Sequence, residues 1–151
     1  MKRSLILELI VALLILLFVY TGTSKLLDFA TFKFALSRTP LVGTQAPVVA
    51  WILPLTEFAI ALLLFFPRSR KLGLWASLLI MIVFTGYLTY MIYFTPARPC
   101  NCGGVLKQMT WKQHLVFNIF FTLLALAGIW LSRRRQSTAT KNEQLEQPVF
   151  T

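Results

Sequence analysis

Residues 5–21 read LILELIVALLILLFVYT, a run in which Glu8 is the single charged position. Its apolar side chains point all the way round a helix, and such a helix needs lipid or a large core to surround it. Crossing the hydrocarbon takes about 17–25 helical residues, so the run spans if its helix continues to Leu27. A cleaved leader is the competing reading. Leader cores run to about 7–15 residues and end on an Ala-x-Ala-like site. The sequence Thr21-Gly22-Thr23-Ser24 lacks that form, so residues 5–27 are expected to remain as the first transmembrane helix.

Three further blocks follow the same pattern, at residues 48–66, 72–94 and 111–131. The chain is 57% hydrophobic and 13% charged, against about a quarter charged in soluble domains. At 151 residues it is too short to bury four such helices in a core of its own. The expected fold is therefore an all-α membrane protein, a four-transmembrane-helix bundle formed by residues 1–132. A polar tail, 133–151, is expected to be disordered. Between the first two spans, Phe29, Phe32 and Phe34 suggest a short amphipathic helix at the interface. Pro54 inside the second span is tolerated where neighbours satisfy the carbonyl it frees. Tyr87, Tyr90 and Tyr93 read as an aromatic belt, and Thr110 with Gln113 as a capping box opening the fourth span.

The net charge of +10 does not point to nucleic acid, because Lys and Arg gather at the ends of the apolar blocks. There they set topology and meet anionic head groups. With four spans, one side carries Lys2, Arg3, Arg68, Arg70, Lys71, Arg133, Arg134, Arg135 and Lys141. The other carries Lys25, Lys33, Arg38, Arg98, Lys107 and Lys112. The first side's charges are more numerous and more tightly clustered, so both termini are expected to be cytoplasmic (N-in, C-in). The loop between helices 3 and 4 then faces outward, toward the periplasm of a bacterium whose inner membrane holds the protein.

That loop carries both cysteines, Cys100-Asn101-Cys102-Gly103-Gly104. Cysteines two apart can just meet the Cα separation of a disulfide, about 4.4–6.8 Å. A bridge that closes so small a ring gains little as a staple, and strained, exposed bridges tend to be labile or catalytic. Arg98 and Lys107 flank the pair and favour the thiolate. Two inert thiols, or a soft metal held with His114, remain alternatives. A lone Cys-x-Cys is a weak metal signature, and no metal site is expected.

Supporting groups are sought in the apolar blocks, where ionisable residues are costly and functional by default. Glu57 lies a third to half of the way along the second span, and Lys25 at the outward end of the first is its expected cationic partner. Glu8 is shallower and is expected to snorkel toward Lys2 and Arg3. His114, Asn118 and Thr122, at four-residue steps, form a polar stripe that should face the bundle interior. His114 reads either as a proton donor or acceptor for the thiols or as a structural interfacial residue bonded to backbone.

The chain resembles the DoxX-like superfamily, in particular its MauE branch of redox-associated membrane proteins. The resemblance rests on Gly22-Thr23-Ser24-Lys25-Leu26-Leu27-Asp28-Phe29, on Pro54-Leu55-Thr56-Glu57, and on the Cys100-Asn101-Cys102-Gly103-Gly104 loop before the fourth span. It covers residues 5–131. Family members commonly carry Cys-x-Cys-Phe-Gly, where this chain has Gly103 in place of the aromatic. The resemblance implies a four-helix inner-membrane protein tied to forming or maintaining disulfides in a periplasmic partner. Methylamine metabolism does not carry over.

The expected function is thiol–disulfide exchange between Cys100/Cys102 and a periplasmic thioredoxin-like or cysteine-containing protein. Lys25, Glu57, His114 and Asn118 would tune protonation. Quinone is a candidate electron carrier, although no sequence feature demonstrates a site for it. A non-catalytic membrane scaffold or assembly subunit is the alternative, and a small-solute transporter using Glu57 is a third reading.

Overall fold

The computed structural model describes residues 2–94 and 110–145. Cys100, Cys102 and the flanking Arg98 and Lys107 lie outside the described residues. Five α-helices appear in order: α1 (Lys2–Leu27), α2 (Phe29–Ser37), α3 (Ala46–Phe65), α4 (Arg70–Phe94) and α5 (Trp111–Leu145), with a 3-10 turn at Gly43–Gln45. Four stretches are long and apolar enough to cross a membrane: Leu5–Leu27, Gly43–Phe65, Arg70–Phe94 and Lys112–Arg133. The protein is thus an all-helical, multi-pass membrane protein.

The long helices pack in the cyclic order α1, α3, α4, α5 and back to α1, and α2 lies against α3 and α1 at one end. Each long helix is apolar on every side, so the core is picked out by geometry more than by periodicity. Leu14 and Phe18 of α1, Leu64 of α3, Leu74 of α4 and Ala125 of α5 are fully enclosed. Leu16, Leu55, Leu79 and Leu123 point outward, as a lipid-facing surface requires. Local chemistry sets the helix ends. Pro47 sits in the first turn of α3, where its missing N–H costs nothing. The Thr110 N–H donates to Gln113 Oε1 at 2.9 Å and the Gln113 N–H to Thr110 Oγ1 at 3.3 Å, a reciprocal capping box opening α5.

Close approach in a bilayer relies on small residues, since lipid is as apolar as leucine. Gly73 of α4 lies so near α3 that a Cβ there would fall 2.8 Å from the Leu64 backbone nitrogen. Gly86, on the same helix, has nothing within 4 Å of the equivalent position. Gly73→Ala is expected to destabilise by about 1–3 kcal/mol, because backbone cannot yield as a side chain can. Gly86→Ala should be neutral or stabilising by up to about 1 kcal/mol. Thermal unfolding of both variants in one detergent checks the pair; equal shifts would refute this packing.

Two features differ from the sequence reading. The segment 133–151 is not without structure throughout, because α5 continues as helix to Leu145. Residues 133–145 contain neither Gly nor Pro, and adding residues to a formed helix is far easier than nucleating one. Glu8 is not served by Lys2 or Arg3. Its Oε1 accepts from Arg70 Nη1 of α4 at 2.6 Å, across the end of the bundle where α1 and α4 begin.

Candidate functional site

Gly22 decides where α1 and α3 touch. A Cβ there would meet the Phe58 ring at 3.2 Å and Glu57 Oε2 at 3.5 Å, so the absence of a side chain lets α3 press its carboxylate against α1. One turn further along α1, Lys25 Nζ donates to Glu57 Oε1 at 2.7 Å and to the Thr21 carbonyl at 3.3 Å. The Glu57 side chain is 3% exposed and that of Lys25 15%. The lysine also lies 5.9 Å from the centre of the Phe32 ring on α2. Two opposite charges thus meet inside the span-forming part of the bundle. An unpaired charge at the bilayer centre would cost about 2.5–3.5 kcal/mol on insertion scales.

The ion pair forms one wall of a cavity of about 130 Å³. α1 contributes Thr21, Ser24 and Lys25, and α2 covers it with Phe32, Ala35 and Thr39. α3 adds Leu53 and Glu57, α4 adds Phe84, Tyr87 and Leu88, and α5 adds His114, Phe117 and Asn118. The four side chains read from sequence as supporting groups, Lys25, Glu57, His114 and Asn118, therefore line one space. Two of them have unused hydrogen-bonding capacity: Glu57 Oε2 and Asn118 Nδ2 are buried without a partner. The Thr21 hydroxyl, on the same wall, donates to the Phe18 carbonyl at 3.4 Å. Below Asn118 the polar stripe continues. Thr122 Oγ1 donates to the Asn118 carbonyl at 2.8 Å and lies 3.4 Å from Thr85 Oγ1 of α4.

The cavity sits at one end of the bundle. Tyr87 and Leu88 lie within the last two turns of α4, and His114 in the first turn of α5. The segment bearing Cys100 and Cys102 joins those same two helix ends. Toward the other end, the enclosed side chains of Leu14, Phe18, Leu64 and Leu74 fill the bundle axis. Among the described residues no three His, Cys, Asp or Glu side chains converge as a metal site would require.

Several lining residues were not singled out by sequence, Thr21, Thr39 and the aromatic rings of Phe84 and Phe117, and Phe32 was read only as part of an interfacial helix. Thr39 is buried and donates to the Leu36 carbonyl at 2.7 Å. The signals available were Thr21-Gly22, a small-residue break in an apolar helix, and the phenylalanines of α2.

These features define a class: a multi-pass membrane protein whose four helices enclose a carboxylate–lysine pair toward the bundle end where α4 finishes and α5 begins. The sequence profile of the family described as methylamine utilisation protein MauE matches residues 3–131, and the chain belongs to that family. No curated protein and no solved structure shows a significant match to it.

Proposed function

We propose that the protein is a thiol–disulfide exchange component of a bacterial inner membrane that supports disulfide formation in an exported, cysteine-containing partner. The observation that carries this reading concerns the two helices that flank the Cys-x-Cys segment in sequence. Its two anchoring helices end beside a cavity holding Lys25, Glu57, His114 and Asn118. Family membership supports it, through the link of MauE-type proteins to disulfides of a periplasmic protein.

In the proposed exchange, a partner thiolate attacks the Cys100–Cys102 bridge. One new S–S bond forms as the bridge breaks, leaving a mixed disulfide and a free thiolate. A second partner thiolate then attacks the mixed disulfide and releases the partner oxidised. Two electrons move to the membrane protein, which now holds Cys100 and Cys102 as a dithiol.

Orientation follows the positive-inside rule. Lys25, counted on the loop side, is neutralised by Glu57 inside the bundle, so its weight in setting topology falls. The clustered cations of the opposite end, among them Arg68 and Lys71, then dominate further. Both termini are cytoplasmic in this reading, and the cysteines face an oxidising space where bridges persist. A transport role draws less support, because packed side chains fill the axis on the far side of the cavity.

Trapping tests the proposal. A Cys102→Ser or Cys100→Ser variant should accumulate a mixed disulfide with an exported protein, visible on a non-reducing gel and released by dithiothreitol. Absence of any adduct with both single variants would overturn the exchange. Labelling of the cysteines by a cytosolic but not by an external alkylating reagent would overturn the orientation.

A further inference from the structure

The cavity is nearly a single-ring site. Its volume of about 130 Å³ compares with an apolar cavity of about 150 Å³ known to take up benzene. Four aromatic side chains, Phe32, Phe84, Tyr87 and Phe117, surround it. Rings stack or meet edge-to-face at centroid separations of about 4.5–7 Å, so this lining suits a flat ring better than an acyl chain. The walls also hold two polar atoms of opposite kind. Glu57 is 2% exposed and offers an unpartnered acceptor, Oε2. Asn118 is 5% exposed and offers an unpartnered donor, Nδ2. A buried polar group without a partner is costly, and here both residues that carry one line the same cavity. The fitting molecule is a lipid-soluble ring that donates through one oxygen and accepts through another.

We infer that this cavity binds the headgroup of a one-ring membrane quinol, held between Glu57 Oε2 and Asn118 Nδ2, and the corresponding quinone through Asn118 Nδ2 alone. Its role rests on the thiol-exchange reading above: the quinone is the two-electron acceptor that returns the dithiol to the bridge. In that step two S–H bonds break and the Cys100–Cys102 S–S bond forms. Two electrons and two protons pass to the quinone, and its two carbonyl oxygens become hydroxyls. The quinol so formed donates one hydroxyl to Glu57 and accepts at the other oxygen from Asn118. The ring then leaves laterally, because it is soluble in the bilayer.

Equilibrium binding of radiolabelled ubiquinone-1 to the full-length protein in phosphatidylcholine nanodiscs tests the site, with protein-free nanodiscs measuring partition into lipid. Saturable binding above partition is expected. Asn118→Leu should weaken it about tenfold, one hydrogen bond's worth, and Glu57→Gln should weaken binding of the reduced probe, ubiquinol-1, by a similar factor. Ala35→Phe, which places a ring in the cavity from α2, should abolish binding while the protein stays folded.

The double variant Cys100→Ser/Cys102→Ser should bind ubiquinone-1 as the parent does, yet lose dithiol-dependent bleaching of the quinone's ultraviolet absorbance. No saturable binding, or binding indifferent to both Ala35→Phe and Asn118→Leu, would overturn the site. In that case mixed-disulfide trapping would still decide the exchange reaction separately. Intact binding with no trapped partner would instead leave a quinone site whose electron donor is not the cysteine pair.

Discussion

Replacing Cys100 and Cys102 together with serine is expected to reduce oxidation of the exported partner to the level of membranes lacking the protein. Each single replacement should cost as much as the pair, because residues that act as a unit give non-additive losses. The bundle should survive all three changes. Its core runs through Leu14, Phe18, Leu64, Leu74 and Ala125, and the capping box of Thr110 and Gln113 secures the start of α5 without either cysteine. Thermal unfolding of the double variant should therefore match the parent within about 0.5 kcal/mol, the usual range for changes outside a core. Partner redox state, read by alkylation and gel shift, is the decisive measurement. A fully oxidised partner in cells carrying the double variant would remove the cysteines from the mechanism and leave a scaffold.

The architecture was readable because a bilayer imposes two demands that sequence displays directly: enough apolar length to cross, and internal satisfaction of the backbone. The runs near 5–27, 48–66, 72–94 and 111–131 meet the first demand, and the helices found at these places differ from them by a few residues at each end. Glu57 was readable for a related reason. A carboxylate inside an apolar block needs a partner, and α1 offered Lys25 at the same end. Glu8 obeyed the same logic, but the cations adjacent in sequence, Lys2 and Arg3, were not its solution. Arg70 lies 62 residues away, and only the packing of α4 beside α1 brings it near. Spacing on one helix predicts which residues share a face; it does not predict the register between helices.

The cavity was illegible for a different reason. It exists because α2 folds back over the bundle end and because Gly22 lets Glu57 approach α1. Each lining side chain has an ordinary explanation alone: phenylalanines at an interface, a threonine bonding its own helix, a histidine near a head-group region. The stripe of His114, Asn118 and Thr122 announced an inward polar face, yet the opposing aromatic walls come from α2 and α4. Residues 133–145 are polar in composition and helical in structure. Polar sequence denies a core but does not deny a helix once about six turns of membrane-spanning helix precede it.

Severing the buried pair should produce the largest stability change in the molecule, and the two halves should not be equivalent. Lys25→Met removes the donor from Glu57, whose side chain is 3% exposed and has its second oxygen unpartnered already. The expected loss is about 3 kcal/mol, the scale of an uncompensated buried charge. Glu57→Gln should cost less. The amide still accepts from Lys25, and the lysine, with 15% of its side chain exposed, can extend toward the bundle end, as long cationic side chains do. Lys25→Met/Glu57→Leu should recover most of the loss, because apolar residues of similar volume often replace a buried pair without penalty. Thermal unfolding of the three variants in one detergent gives this order, and a double variant as unstable as Lys25→Met would contradict it. Partner oxidation by the recovered double variant then separates two roles. If the pair only joins α1 to α3, restored stability restores the reaction. If the carboxylate positions a ring in the cavity, the double variant folds and still turns over slowly, with binding of ubiquinol-1 lost in parallel.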